Sequence, residues 1–307
     1  MILAEVVRSG FVESVHHGSV VVLDPAGAVL AAAGEVDAPI FPRSSLKPLQ
    51  AVGMLRAGLR PRQEADLALI SGSHYGEPFH VKRVAAILAA AGLSAEELLC
   101  PQSLPLWEPS RDALLRVGVG PARIFMNCSG KHAGMLATCA ANDWPLESYR
   151  EATHPLQVAI AAAVAELTAE PIAATGVDGC GAPVFAFSLT ALARSFQRLA
   201  DAAPGSDERR VADQMRAHPE LVAGTGADDT VLMTGAAGLV SKGGAEGVQA
   251  VAVPGVGAVA IKIEDGAMRP RMPVLRSALR RLGLESPVPA VEVLGGGEPV
   301  GEVRPAW

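Results

Sequence analysis

The sequence predicts an α+β fold, with one antiparallel sheet assembled from both ends of the chain and a helical lobe inserted between them. Three observations predict it. A β-branched apolar run at 18–23 and an apolar return at 28–33 lie near the start, and short β-like runs at 239–242, 248–253 and 259–263 near the end. The stretches between them show helical apolar spacing broken by glycine-rich loops. No repeat or low-complexity linker separates the parts. Residues 1–307 therefore read as a single two-lobed unit, the sheet lobe spanning roughly 1–60 and 225–307 and the helical, loop-rich lobe roughly 61–224.

Taken in order, 18–23 and 28–33 flank Asp24-Pro25-Ala26-Gly27, a turn sequence, and form a hairpin. A helix is predicted over 47–58, where Pro48 fits a first turn whose N–H groups have no intrahelical partner to lose. The short apolar run 65–70 is a buried segment delivering Ser71-Gly72-Ser73-His74-Tyr75-Gly76-Glu77 as a loop. Pro78 starts a helix that Gly92 stops, and Ser94-Ala95-Glu96-Glu97 is a capping box. Residues 101–122 lack clean periodicity and are predicted as a long connection. The block beginning at Asn127 runs into a helix ending near Asn142. Amphipathic helices are predicted at 157–167, 183–199 and 209–217, then a meander of strands, then a closing helix over 274–282.

Composition narrows the function. Hydrophobic residues make up 50% and charged residues 19%, which marks a globular chain without a disordered tail. A net charge of −6 and the lack of any Lys/Arg-rich block argue against nucleic acid. No apolar stretch approaches the ~18 residues a membrane span needs, and the first residues lack a signal-peptide pattern. Cys100, Cys128, Cys139 and Cys180 show no paired spacing, so reduced thiols and a cytoplasmic location are expected.

The chemistry gathers in five glycine-rich loops, around Ser44, Ser73, Lys131, Asp178 and Lys242. Ser44 and Lys47 are three apart at a helix start, so hydroxyl and amine share a face, and the helix N-terminus favours a developing oxyanion. Taken alone, the same four residues suit an N-capping serine with a solvated lysine. Their order along the chain is more specific: Ser-x-x-Lys, then Ser73, then Lys242-Gly243-Gly244, the succession of penicillin-recognising serine enzymes. A lysine near pKa 10.4 is roughly 0.1% or less neutral at pH 7, so a base role needs a shift of about three units, or about 4 kcal/mol. Burial and a second ammonium both push that way. Lys262, on the following β-like run, is a rival for Lys242.

Five blocks together, Ser44-Ser45-Leu46-Lys47-Pro48, Ser73-His74, Asn127-Cys128-Ser129-Gly130-Lys131-His132-Ala133-Gly134-Met135-Leu136, Val177-Asp178-Gly179-Cys180 and Lys242-Gly243-Gly244-Ala245-Glu246-Gly247, resemble the Rhizobium etli-type L-asparaginase II family. Arg8, Glu13 and His16 fit its opening segment, and Val259-Ala260-Ile261-Lys262-Ile263-Glu264-Asp265-Gly266 its closing strand. The resemblance implies a serine β-lactamase-like fold and hydrolysis of L-asparagine to L-aspartate and ammonia. It implies two Ser–Lys pairs, Ser44 with Lys47 and Ser73 with Lys242, and a substrate pocket that includes Asp178, Lys131, His132 and His74. It also implies a homodimer, and zinc at Cys128, Lys131 and Cys180. Lysine is an unusual ligand, and a lysine beside Cys128 could equally leave a reactive thiol. Zinc there is expected to assist binding and not to be essential for the chemical step. One departure stands out: Ala227-Asp228-Asp229-Thr230 replaces an arginine-containing run expected in the family. The competing expectations are a related serine amidase or β-lactamase-like hydrolase with another substrate, and a catalytically silent amino-acid-binding protein.

Overall fold

The structure is a computed structural model that describes residues 1–307. Strands β1 (Ile2–Arg8) and β2 (Phe11–Leu23) form a hairpin, and β3 (Val29–Ala33) returns along β2. In the intervening turn the Asp24 carboxylate accepts the N–H groups of Ala26 and Ala28, the self-bonding that makes aspartate a turn residue. After β4 (Pro39–Ile40), a 3₁₀ turn at Arg43–Leu46 runs into α1 (Lys47–Arg56). Helices α2 (Asp66–Ile70), α3 (Pro78–Ala90), α4 (Glu108–Arg116), α5 (Ser129–Ala141) and α6 (Pro155–Thr168) follow. Then come β5 (Ala174–Val177), β6 (Pro183–Ser188), α7 (Leu189–Asp201), α8 (Asp207–Ala217), α9 (Pro219–Val222) and α10 (Asp228–Gly235). The chain closes with β7 (Val240–Gly244), β8 (Val248–Val253), β9 (Gly257–Ile263), α11 (Arg271–Arg281), β10 (Val291–Gly295) and β11 (Glu298–Pro305).

The main sheet runs β10-β11-β1-β2-β9-β8-β7, with β3 paired on β2, and its neighbours are antiparallel. It is therefore built from both chain ends, as expected. Three stretches differ from their sequence expectation. Residues 183–199 are not one helix: Pro183–Ser188 is a strand whose six residues are all buried, and α7 starts at Leu189. Burial on both faces erases the period-2 signal, and the boundary is set by Ser188, whose hydroxyl accepts the Ala191 N–H. The 101–122 connection contains α4, none of whose residues is buried, so no apolar stripe announced it. The closing hairpin β10–β11 has only Val293 and Val303 buried, too few to read as alternation.

The chain divides into two compact units. The first comprises Met1–Ser45, Ala186–Asp201 and Val231–Trp307. It is the main sheet with α7 and α11 packed on it, and every residue of β7 and β8 is buried. The second comprises Leu46–Phe185 and Ala202–Thr230, a helical assembly in which α1 packs on α6 and α5 on α2 and α3. The Gly130/Gly134 spacing of the long motif is explained there. A Cβ on Gly130 would stand 2.7 Å from the Leu69 carbonyl oxygen, and one on Gly134 would stand 2.9 Å from Ile70. Only glycine lets α5 press this closely on α2.

Candidate active site

In the second unit, Lys47 is the first residue of α1 and is 1% exposed. Its ammonium donates to the Gly72 carbonyl at 2.5 Å and to Ser73 Oγ at 2.8 Å. The Ser73 loop is held as a short strap: Ser73 N–H donates to the Val222 carbonyl and Tyr75 N–H to that of Ala223, both at 2.7 Å. His74 fixes it from inside. Its Nδ1 accepts the Gly76 N–H at 3.1 Å, so Nε2 carries the hydrogen and donates to Ser129 Oγ at 2.8 Å. Burial, then His80 and Lys47, push His74 well below the ordinary histidine range, so the ring is neutral. Both its nitrogens are committed to protein partners. An amine resting on a hydroxyl in a buried setting is a proton-transfer pair, able to work in either direction as the lysine charge changes.

Around α5 lies a second cluster of the same unit. The Lys131 ammonium donates to Cys180 Sγ at 3.1 Å, and Asp178 Oδ2 lies 3.5 Å from the same sulfur. Cys180 is held far below the ordinary thiol range, first by the hydrogen bond from Cys128 and, against burial, by Lys131 and His132. Cys128 is correspondingly raised, and its Sγ donates to Asn127 Oδ1 at 3.3 Å. Burial works against the Lys131 charge, yet Cys180, Cys128 and Asp178 together raise its pKa above the ordinary value. The cluster thus sets a buried lysine beside two sulfurs and a carboxylate.

His132 completes it through a residue the sequence reading missed. Tyr149 Oη accepts the Leu99 N–H at 3.0 Å, so its own proton is directed to His132 Nδ1 at 2.6 Å. That leaves the hydrogen of His132 on Nε2, which makes no regular hydrogen bond, so its interaction with Cys180 falls to that nitrogen. Tyr149 is one of two tyrosines and is fully buried, and its scarcity was the only available signal.

As a metal site the cluster offers two sulfurs and an amine. No group of three His, Cys, Asp or Glu side chains anywhere in the protein is arranged to hold a metal ion. The donors fit zinc on one condition, that Lys131 give up its proton.

In the first unit, Ser44 lies in the Arg43–Leu46 turn, half-buried, and Arg43 before it adopts φ +52°. A left-handed non-glycine residue is sterically strained, and such strain gathers at functional turns. The turn rests on β7: the neighbouring Ser45 donates from Oγ to the Lys242 carbonyl at 2.8 Å. A Cβ on Gly244 would stand 2.6 Å from the Pro42 carbonyl oxygen, so only glycine admits this contact. Lys242 is 1% exposed, and its Nζ donates to the Gly243 carbonyl at 2.6 Å. Ser45, the neighbour of Ser44, is thereby held on the backbone of Lys242. The rival Lys262 is half-buried and donates to the Glu246 and Ile263 carbonyls, both at 2.6 Å. Arg8 bonds Glu13 at 3.1 Å, and His16 meets Asp265 at 2.8 Å, so the opening-segment residues brace strands of this unit.

Against known proteins, the sequence matches the L-asparaginase II family over residues 4–305. The chain belongs to the L-asparaginase II family. No curated protein matches it significantly. Among solved structures, a β-lactamase from Mycobacterium bovis is 18% identical, with 87% of this chain and 95% of that one covered and a TM-score of 0.43. Simvastatin synthase from Aspergillus terreus, in a mutant form, is 13% identical, with 88% and 91% covered and a TM-score of 0.40. The structure of Mglu is 16% identical with a TM-score of 0.37; the match covers 87% of this chain and 65% of Mglu, so this chain spans about two thirds of its length. Superpositions this loose carry no argument about chemistry.

Proposed function

We propose that this L-asparaginase II family member is of the Rhizobium etli type and hydrolyses L-asparagine to L-aspartate and ammonia through a Ser–Lys acyl-enzyme. The observation that supports this most is the buried Lys47 ammonium bonded to Ser73 Oγ at 2.8 Å, one step along the chain from the strained Ser44 turn. In this reading Lys47, once neutral, takes the Ser44 proton, and Ser44 Oγ attacks the side-chain carboxamide carbon. The C–N bond breaks, the nitrogen leaves as ammonia with a proton relayed by Ser73 and Lys242, and water cleaves the ester to return Ser44 and release aspartate. Backbone N–H groups hold the oxyanion. Asp178 takes the substrate α-ammonium, Lys131 and His132 keep that end of the pocket charged and ordered, and His74 acts on the substrate through the Ser73 loop it holds. Zinc, when bound, would be held by Cys128, Lys131 and Cys180 and would supply a Lewis acid that fixes substrate polar groups. The enzyme is further proposed to work as a homodimer in the cytoplasm, which suits its four free thiols.

The test is ammonia release from asparagine by wild type and Ser44→Ala, with glutamine and a chromogenic cephalosporin as alternative substrates. Turnover of asparagine that Ser44→Ala abolishes supports the reading. Preference for another amide moves the substrate. Full activity in Ser44→Ala sinks the mechanism. Ligand-dependent stabilisation with no turnover in wild type would mark a silent binding protein.

A further inference from the structure

A cavity of about 610 Å³ in the second unit lies between α3, the start of α2 and the corner where α8 meets α9. That volume falls within the range of small-ligand sites, about 300–1,000 Å³. Of its acids, Asp66 accepts Arg83 at 2.8 Å, while Glu220 faces His218 at 3.6 Å, an ion pair only when that histidine is protonated. Two cations on its lining, Arg62 and Lys82, have no ion pair or hydrogen bond. Phe79 forms a wall, one face on the His80 ring at a centroid distance of 4.1 Å and 38% of the residue exposed. Unmatched cations beside an open aromatic face suit a ligand that is flat, apolar and anionic.

The floor of this cavity is the turn that holds the Ser73 loop. Glu220 and Leu221 line it. The Glu220 carbonyl accepts His80 Nε2 at 2.8 Å, and the carbonyls two and three residues on, Val222 and Ala223, hold the Ser73 and Tyr75 N–H groups at 2.7 Å. Because His80 Nδ1 accepts the Glu77 N–H, its Nε2 is the donor, and the bond to α9 has a fixed direction. Order imposed on α9 from the cavity side therefore reaches the partner of Lys47 through one short turn.

We propose that this cavity is an effector site for an organic anion with a flat apolar body, either an aromatic carboxylate or a nucleoside monophosphate, whose binding stiffens α9 and with it the Ser73 loop. Neither readout below uses asparagine, so failure here is separate from failure of the asparaginase reading. Calorimetric titration uses adenosine 5′-monophosphate, indole-3-acetate, adenosine and inorganic phosphate. At least one of the first two binds saturably, while adenosine lacks the charge and phosphate the ring, and each binds at least about tenfold more weakly. Arg62 and Lys82 are exposed, so the R62A/K82A double variant folds, and it loses about tenfold or more of the affinity; F79A weakens the same ligand. With that ligand bound, amide hydrogen exchange at Ser73 and Tyr75 slows several-fold in wild type. No saturable binding by either organic anion, or binding untouched by R62A/K82A and F79A, overturns the site. Binding that leaves exchange at Ser73 and Tyr75 unchanged overturns its role as an effector.

Discussion

Replacing Gly244 by alanine tests whether the Ser44 turn depends on its fit against β7. The added Cβ would stand 2.6 Å from the Pro42 carbonyl oxygen, 3.1 Å from Ser45 Oγ and 3.2 Å from Ser45 N. Comfortable heavy-atom contact begins near 3.5 Å, so the first distance is short by about 0.9 Å. The obstructing atoms are mainly backbone of the 42–45 turn, which cannot rotate away as a flexible side chain would. The turn must retreat, and the Ser45 Oγ bond to the Lys242 carbonyl lengthens with it. Overpacking of this kind costs about 1–3 kcal/mol, and a displacement approaching 1 Å at a reacting group costs about 10²-fold in rate. Urea unfolding and asparagine kinetics are measured on G244A beside G120A, whose Cβ meets nothing within 4 Å. G244A loses about two orders of magnitude in kcat and part of its stability, while G120A keeps its kcat. Wild-type kcat in G244A would refute the claim that this contact positions Ser44.

Other perturbations act elsewhere in the same framework. Lys47→Met removes the donor from Ser73 Oγ and the Gly72 carbonyl, and turnover falls by about 10²–10⁴, the usual share of a positioned proton-transfer group. Tyr149→Phe removes the O–H on His132 Nδ1 and the acceptor of the Leu99 N–H, leaving buried groups unpaired at a cost of about 1–3 kcal/mol, read by chemical denaturation. Burial lowers the pKa of His74 and His80 in the folded state. The unfolded chain therefore binds more protons below about pH 6.5, and stability contributed by these rings is complete above that pH and lost as pH falls, by at most about 1.4 kcal/mol per histidine per pH unit. Unfolding midpoints at pH 7.5 and 5.5 show that slope, and His80→Gln makes it shallower.

The legible part of the fold was the part with one-sided periodicity or strong punctuation. The β2–β3 hairpin announced itself through Asp24-Pro25-Ala26-Gly27, and the Ser94/Glu97 capping box forms as read. Elements with no buried residue, such as α4, or buried on both faces, such as β6, carry no clear period to read. For the site, the chain showed which residues carry chemistry but not which touch. The Lys47 amine rests on Ser73, a partner 26 positions away that only the strap formed with Val222 and Ala223 brings near. Lys131 meets Cys180 through the Gly130/Gly134 contact with α2, a backbone approach invisible without the fold. Tyr149 and Ser45 act by hydrogen bonds of sequence separation 17 and 197, for which no local pattern exists.

The most direct measurement of the Ser–Lys reading is acid quenching of the enzyme during asparagine turnover, followed by peptide mass spectrometry. A β-aspartyl ester on the peptide bearing Ser44, absent in S44A, is the expected result. The same ester on Ser73 would contradict the assignment, making the residue bonded to Lys47 in the structure the nucleophile.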